Sequence, residues 1–250
     1  MRYVTVTALS HTGLVRDQNE DSLVAGPWTL CGTVTENPQT LVFPLGHPLV
    51  VAVADGIGGQ PGGEVASELT VRQLSMSSAS LASEDALRDA LTVCNRAVYD
   101  AADRNRALAT MGTTVAGVVA LADSVLAFNV GDSRVLDAGP GGPRRLSVDD
   151  NPPLSRGRRT TSLLTQSLGG GLRYTPVVPH IAAVPHTPDA RYLICTDGLT
   201  DPVPEDEIDE VLRRYADDNS KAAFTLWKAA IEAGGPDNIT LALIGIGGLD

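Results

Sequence analysis

Thr113–Ala138 reads TTVAGVVALADSVLAFNVGDSRVLDA, three apolar runs parted by Ala122-Asp123-Ser124 and Gly131-Asp132-Ser133. The runs Thr113–Leu121, Val125–Val130 and Arg134–Ala138 have strand length and strand composition. Parallel neighbours need a crossover of about a dozen residues or more, so such short connections demand antiparallel ones. The stretch is expected as a meander, not a Rossmann unit. Asp132 is read as turn chemistry, its carboxylate bonding nearby amides.

Outward from this core, strand after strand runs into a carboxylate. Pro48–Ala54 is a buried-strand pattern that stops at Asp55-Gly56-Ile57-Gly58-Gly59. Ala190–Thr196 repeats the pattern and stops at Asp197-Gly198, and Asp237-Asn238 leads straight into Ile239–Ile246. Near the N-terminus, Tyr3–Leu9 alternates apolar and polar residues until Ser10-His11-Thr12-Gly13 breaks it. Arg16-Asp17-Gln18-Asn19-Glu20-Asp21 follows, ahead of the short run Ser22–Ala25. If a strand begins here, Glu20 and Asp21 point to opposite faces and only one enters a common site directly.

Four helices are expected. Glu64 to about Met76 places Val65, Leu69 and Met76 near one face, and Ser83 caps a second helix through Leu87, Leu91, Cys94, Val98 and Ala101. Glu205 starts a third, through Ile208, Val211, Leu212 and Tyr215, and Asn219 or Ser220 caps a fourth bearing Phe224, Trp227 and Ile231. Gly26–Pro48 reads as a loop or hairpin. Gly139–Gly171, with Arg156, Arg158 and Arg159, reads as a solvated segment or as a lid able to meet an acidic or phosphorylated peptide.

With 250 residues, 43% of them hydrophobic, the chain has ample material for a core. Its formal charge of −11 excludes a nucleic-acid or anionic-membrane partner, which needs a basic surface. A phosphate ligand would need cations to mediate. Cys31, Cys94 and Cys195 form neither a disulfide framework nor a zinc pattern, so reduced thiols and a cytoplasmic setting are expected. No run reaches membrane-spanning length. His11, His47, His180 and His186 stand in unrelated contexts and are read as surface residues, none of them a metal ligand.

Several carboxylates converging without basic partners repel one another unless cations neutralise them. Oxygen-only ligation points to Mg²⁺ or Mn²⁺. Two such ions can share a bridging water, lower its pKa and orient the hydroxide for in-line attack on a phosphoester. Asp55 is the natural bridging ligand, having two oxygens to divide. Arg16 offers a planar fork for phosphate oxygens.

Arg16-x-x-Asn19-Glu20-Asp21, Asp55-Gly56-x-Gly58-Gly59, Met111-Gly112-Thr113-Thr114, Gly131-Asp132-Ser133-Arg134, Thr196-Asp197-Gly198 and Gly235-x-Asp237-Asn238-x-Thr240 occur in that order. Together they resemble the metal-dependent protein phosphatases of type 2C, from about Thr7 to Gly245. The resemblance implies an α+β fold, a four-layer α-β-β-α sandwich of two antiparallel sheets flanked by helices, with residues 1–250 as a single domain. It implies two Mn²⁺ or Mg²⁺ ions, one held by Asp55, Asp197 and Asp237, the other by Glu20, Asp55 and the Gly56 carbonyl. Asp21 and Asn238 would stand behind these ligands, Asp21 ordering metal-bound water, and Arg16 would bind the substrate phosphate. The function implied is hydrolysis of phosphoserine and phosphothreonine in proteins phosphorylated by a Ser/Thr kinase, by a monomer. A catalytically reduced binding module on the same fold and a hydrolase of small phosphomonoesters are the alternatives.

The chain departs from the family pattern in three places. Asn105–Thr110 offers no carboxylate for a third ion, which is therefore expected to be weak or absent. The flap around residues 147–168 is short. Ile57 replaces a histidine proposed elsewhere as proton donor, which favours aryl leaving groups in assays.

Overall fold

A computed structural model describes residues 2–57, 62–153, 161–185, 187 and 190–248. Gly58, Gly59, His186, and the Arg156, Arg158 and Arg159 cluster of the flap lie outside the described residues. The strands are β1 (Arg2–His11), β2 (Ser22–Ala25), β3 (Trp28–Cys31), β4 (Gln39–Pro44), β5 (Leu49–Ala54), β6 (Gly112–Thr113), β7 (Val115–Ala120), β8 (Ser124–Val130), β9 (Arg134–Asp137), β10 (Arg144–Arg145), β11 (Leu168–Gly169), β12 (His180–Pro185), β13 (Ala190–Cys195) and β14 (Ile239–Gly248). The α-helices are α1 (Gly63–Ser77), α2 (Glu84–Arg104), α3 (Asp197–Thr200), α4 (Glu205–Arg214) and α5 (Asn219–Glu232). No helix among the described residues is long and apolar enough to cross a membrane.

Two six-stranded antiparallel sheets face each other, one ordered β10-β9-β13-β14-β1-β4 and the other β12-β8-β7-β5-β2-β3. Strand alternation builds the layers. Val51 and Val53 of β5, Tyr192 and Ile194 of β13, and Ala242 and Ile244 of β14 fill the space between the sheets. The alternate residues Val50, Ala52 and Ala54 face outward against Val71 and Leu74 of α1 and Leu87 and Leu91 of α2. Leu193, Cys195, Leu241 and Leu243 likewise meet Ile208 and Leu212 of α4 and Leu226 and Ala230 of α5. The result is the four-layer sandwich.

The expected meander is only half of the story. β7 and β8 form an antiparallel hairpin with Val115 opposite Val130, but β9 pairs with β13 in the other sheet. Gly131-Asp132-Ser133, with Gly131 at φ 99, is thus a crossover between sheets and not a hairpin turn. Gly26–Pro48, expected as a loop or hairpin, is split between the sheets: β3 closes a hairpin on β2 through Gly26-Pro27 at one sheet edge, whereas β4 joins β1 at the edge of the other sheet.

Two helix faces differ from those expected. α1 buries Ala66, Ser67, Thr70, Val71 and Leu74, while Met76 is 76% exposed. α5 buries Ala222, Ala223, Leu226 and Ala230, leaves Phe224 largely exposed, and is capped by Asp218, whose carboxylate accepts from the Lys221 amide at 3.0 Å. In both helices small residues take the inner face because it lets the helix axis approach the sheet. α2 follows expectation, its Ser83 hydroxyl accepting from the Ala86 amide at 3.2 Å.

Candidate active site

Strand register brings the acidic residues to one end of the sandwich. Ser22 pairs with Ala54, so the next step along both strands sets Asp21 against Asp55 and Glu20 against Gly56. Cys195 pairs with both Leu241 and Arg134, so Asp197 and Asp132 leave adjacent strands at the same end. Asp237 precedes the first residue of β14, Ile239, which pairs with His11.

Hydrogen bonds fix the loops that carry these groups. The Asp55 carbonyl accepts from the Thr113 hydroxyl at 2.7 Å and the Thr114 amide at 2.9 Å, and the Asp55 amide donates to the Thr114 hydroxyl. Asn238 clamps the Arg16 loop: its Nδ2 donates to the Thr12 and Gln18 carbonyls, each at 2.9 Å, and its Oδ1 accepts from the Glu20 amide at 2.7 Å. Ser67 of α1 donates to the Glu20 carbonyl at 2.6 Å. Gly56 is required by close approach, since a Cβ there would fall 2.5 Å from the Gly63 backbone and 2.9 Å from the Glu20 carbonyl.

Electrostatics mark the cluster as strained. Burial, followed by repulsion from Asp132 and Asp201, pushes Asp197 up to about 8. Burial pushes Asp21 up to about 7 against the stabilising hydroxyls of Thr240 and Thr196. Asp55 is held well above the usual carboxylate range by burial and then by Asp197, with which it shares a hydrogen bond. Glu20 is raised by burial and by Glu64. Among the described residues, the buried oxygens Asp21 Oδ1 and Asp197 Oδ1 have no hydrogen-bond partner. Arg16 stands at the mouth, its Nη2 donating to Asp237 Oδ2 at 2.7 Å.

Carboxylate oxygens that are buried, crowded and unpartnered form a donor set that fits hard divalent cations. Among the described residues no three Asp, Glu, His or Cys groups already stand close enough together to hold an ion. Asp237 is engaged by Arg16, and ligation would exchange that guanidinium for a cation.

The structure thus brings together Glu20, Asp21, Asp55, Asp197, Asp237 and Arg16, with Gly56 and Asn238 beside them. It adds Asp132, a residue that turn chemistry disguised. Asp132 is 9% exposed and is raised by burial, while Asn151 donates to its Oδ2 at 3.1 Å. Asn105–Thr110 indeed carries no acid, but Asp132 and Asp201 both lie near enough to Asp197 to raise its pKa. The histidines are less free than expected: His11 stacks edge-on against Trp227 at 5.4 Å, and His180 meets Asp150 at 2.9 Å. A cleft of about 560 Å³ lined by Asp150, Gln166, Gly170 and His180 lies alongside, where Gly170 comes close to Ile57. A cavity of about 440 Å³ lined by Tyr3, Ala190 and Gly247 opens at the other end of the same strands, away from the carboxylates.

Residues 42–230 match the family described as Protein phosphatase 2C. The serine/threonine phosphatase Stp of Listeria monocytogenes is 30% identical over 253 residues, which cover 93% of this chain and 92% of that protein. The serine/threonine protein phosphatase PstP of Mycobacterium tuberculosis is 29% identical over 94% of this chain, which spans 44% of PstP's length. A crystal structure of the PstP catalytic domain in complex with two manganese ions superposes with a TM-score of 0.78 and 27% identity, covering 99% of this chain and 100% of that one.

Proposed function

The chain belongs to the protein phosphatase 2C family, and from that membership we propose that it removes phosphate from phosphoserine and phosphothreonine side chains of proteins, using two Mn²⁺ or Mg²⁺ ions. The observation that carries the reading is the buried pair Asp55 and Asp197, crowded by further carboxylates and left with an unpartnered oxygen among the described residues. Asp55, Asp197 and Asp237 would hold one ion, and Glu20, Asp55 and the Gly56 carbonyl the other. When bound, such ions neutralise phosphate charge and activate water for in-line attack on phosphorus.

The chain's own residues do the rest. Arg16, on leaving Asp237, presents its fork to two phosphate oxygens. Asn238 holds the Thr12–Gln18 loop so that this guanidinium stays over the cluster. Asp21 keeps a buried Oδ1 without a hydrogen-bond partner among the described residues, while its Oδ2 accepts from the Thr196 hydroxyl at 3.0 Å. Ile57 donates no proton, so the leaving oxygen is protonated from solvent, which favours aryl leaving groups. In this reading the protein is a single phosphatase domain with a short flap around residues 147–168. It acts as a cytoplasmic monomer opposite a Ser/Thr kinase, and its three unpaired cysteines suit a reducing compartment.

With Mn²⁺ the purified protein is expected to hydrolyse p-nitrophenyl phosphate and a phosphothreonine peptide, and chelator to stop both. Asp197→Ala should lower turnover by about a hundredfold or more and weaken Mn²⁺ binding in calorimetry. Unchanged turnover in that variant would sink the reading.

A further inference from the structure

We infer that Leu14 and Val15 form an apolar lip that receives the side chain flanking the phosphorylated residue of a protein substrate; this rests on the phosphatase reading above. The two residues directly precede Arg16 and are 63% and 68% exposed. Their backbone is nonetheless pinned. The Leu14 amide donates to the Gly235 carbonyl at 2.8 Å, and Asn238 holds Thr12 on one side and Gln18 on the other. Gly13, at φ 81, packs so close to Asp237 that a Cβ would fall 2.2 Å from its carbonyl oxygen.

A loop anchored in this way has no folding need to hold two large apolar side chains in water. The surface also continues: Leu14 and Ile231 both reach within 3.2 Å of the point a Gly235 Cβ would occupy. From Ile231 it follows α5 to Trp227 and Phe224, whose rings are 5.3 Å apart. An extended chain rises about 3.3 Å per residue, so a peptide whose phosphate meets Arg16 has a flanking residue within reach of the loop that carries Leu14 and Val15. Covalent adjacency to the phosphate-binding residue therefore selects the occupant. It is an aliphatic or aromatic substrate residue, not an acidic one, which would also face the chain's net charge of −11.

The test uses the full chain with Mn²⁺, p-nitrophenyl phosphate, and three phosphothreonine peptides carrying Leu on the N-terminal side, Leu on the C-terminal side, or Ser on both. One leucine peptide should exceed the serine peptide about tenfold in kcat/KM. The double variant L14S/V15S should erase that difference while hydrolysing p-nitrophenyl phosphate within about twofold of the parent. Equal kcat/KM for all three peptides, or a preference that survives in the double variant, overturns the lip while the phosphatase reading stands. A double variant that loses p-nitrophenyl phosphate and every peptide alike also overturns it, the two side chains then serving Arg16's loop. A dimer in size-exclusion chromatography that the double variant dissolves would assign the surface to a second copy and overturn it too. No turnover of any phosphoester by the parent protein would sink the phosphatase reading and the lip with it.

Discussion

Asp197, hydrogen-bonded to the likewise raised Asp55, lies where burial and neighbouring carboxylates favour the protonated form of the pair. Burial and the nearby charges of Asp132 and Asp201 push Asp197 up to about 8, whereas in the unfolded chain it titrates near about 3.9. Between those values the native state holds a proton that the unfolded state has lost, so stability falls as pH rises. Asp21, up to about 7, acts in the same direction over the lower part of that window. Calorimetry in chelator should show the metal-free protein melting lower at pH 8 than at pH 5, and Asp197→Asn, which has no proton to lose, should flatten the fall. Equal slopes in the two proteins would refute the assignment. Asp55 and Asp197 were legible as carboxylates that end strand runs, and Glu20, Asp21 and Asp237 as carboxylates that lead into them, whereas Asp132 and Asp201 were not singled out as site residues. What the sequence could not display was their mutual repulsion, because Asp55 and Asp197 are far apart along the chain and meet only through strand register. Asn238 was visible within its motif, but its clamp was not, since its partners Thr12, Gln18 and Glu20 lie more than 200 residues away.

At the scale of elements, size misled where closeness mattered. Val65, Leu69 and Met76 look like the inner face of α1, yet Ser67 occupies it because its hydroxyl must reach the Glu20 carbonyl. The strand pattern of β13 likewise hid Arg191 in an apolar run. Arg191 is 6% exposed as a residue, and its guanidinium donates to Asn219 Oδ1 at 2.7 Å, to the Leu212 carbonyl at 2.8 Å and to the Tyr215 carbonyl at 3.1 Å. It therefore closes the C-terminal end of α4, where the helix dipole and the last carbonyls welcome a cation, and joins it to the start of α5. Arg191→Met should cost about 2 kcal/mol by leaving the Leu212 carbonyl and Asn219 Oδ1 without their donor, while the Tyr215 carbonyl keeps the Asp218 amide at 3.2 Å, read by urea denaturation. Arg191→Lys should not restore it, since one ammonium cannot span three separated acceptors. Stability within error of the parent in Arg191→Met would show that the helices hold their junction without it.

Across the whole molecule the candidate site is a seam. Glu20, Asp21 and Asp55 come from the ends of β2 and β5 in one sheet, Asp197 and Asp237 from the ends of β13 and β14 in the other, and Asp132 from the crossover that joins the sheets. The two-sheet architecture was within reach of the family resemblance, and the strand patterns added that neighbours would be antiparallel. The crossover was not, because Gly-Asp-Ser between two short apolar runs reads the same whether the chain turns back or changes sheet. Cations bound across the seam would tie the sheets together at one end only. Hydrogen exchange should therefore slow on adding Mn²⁺ at Ala54–Gly56 and at Thr196–Leu199 together, while the edge strands β4 and β12 keep their metal-free rates. Asp55→Asn, which removes a charge from the carboxylate placed between the two groups, should abolish the protection in both segments at once. Protection confined to one sheet, or surviving in Asp55→Asn, would show that Asp55 does not bridge the seam.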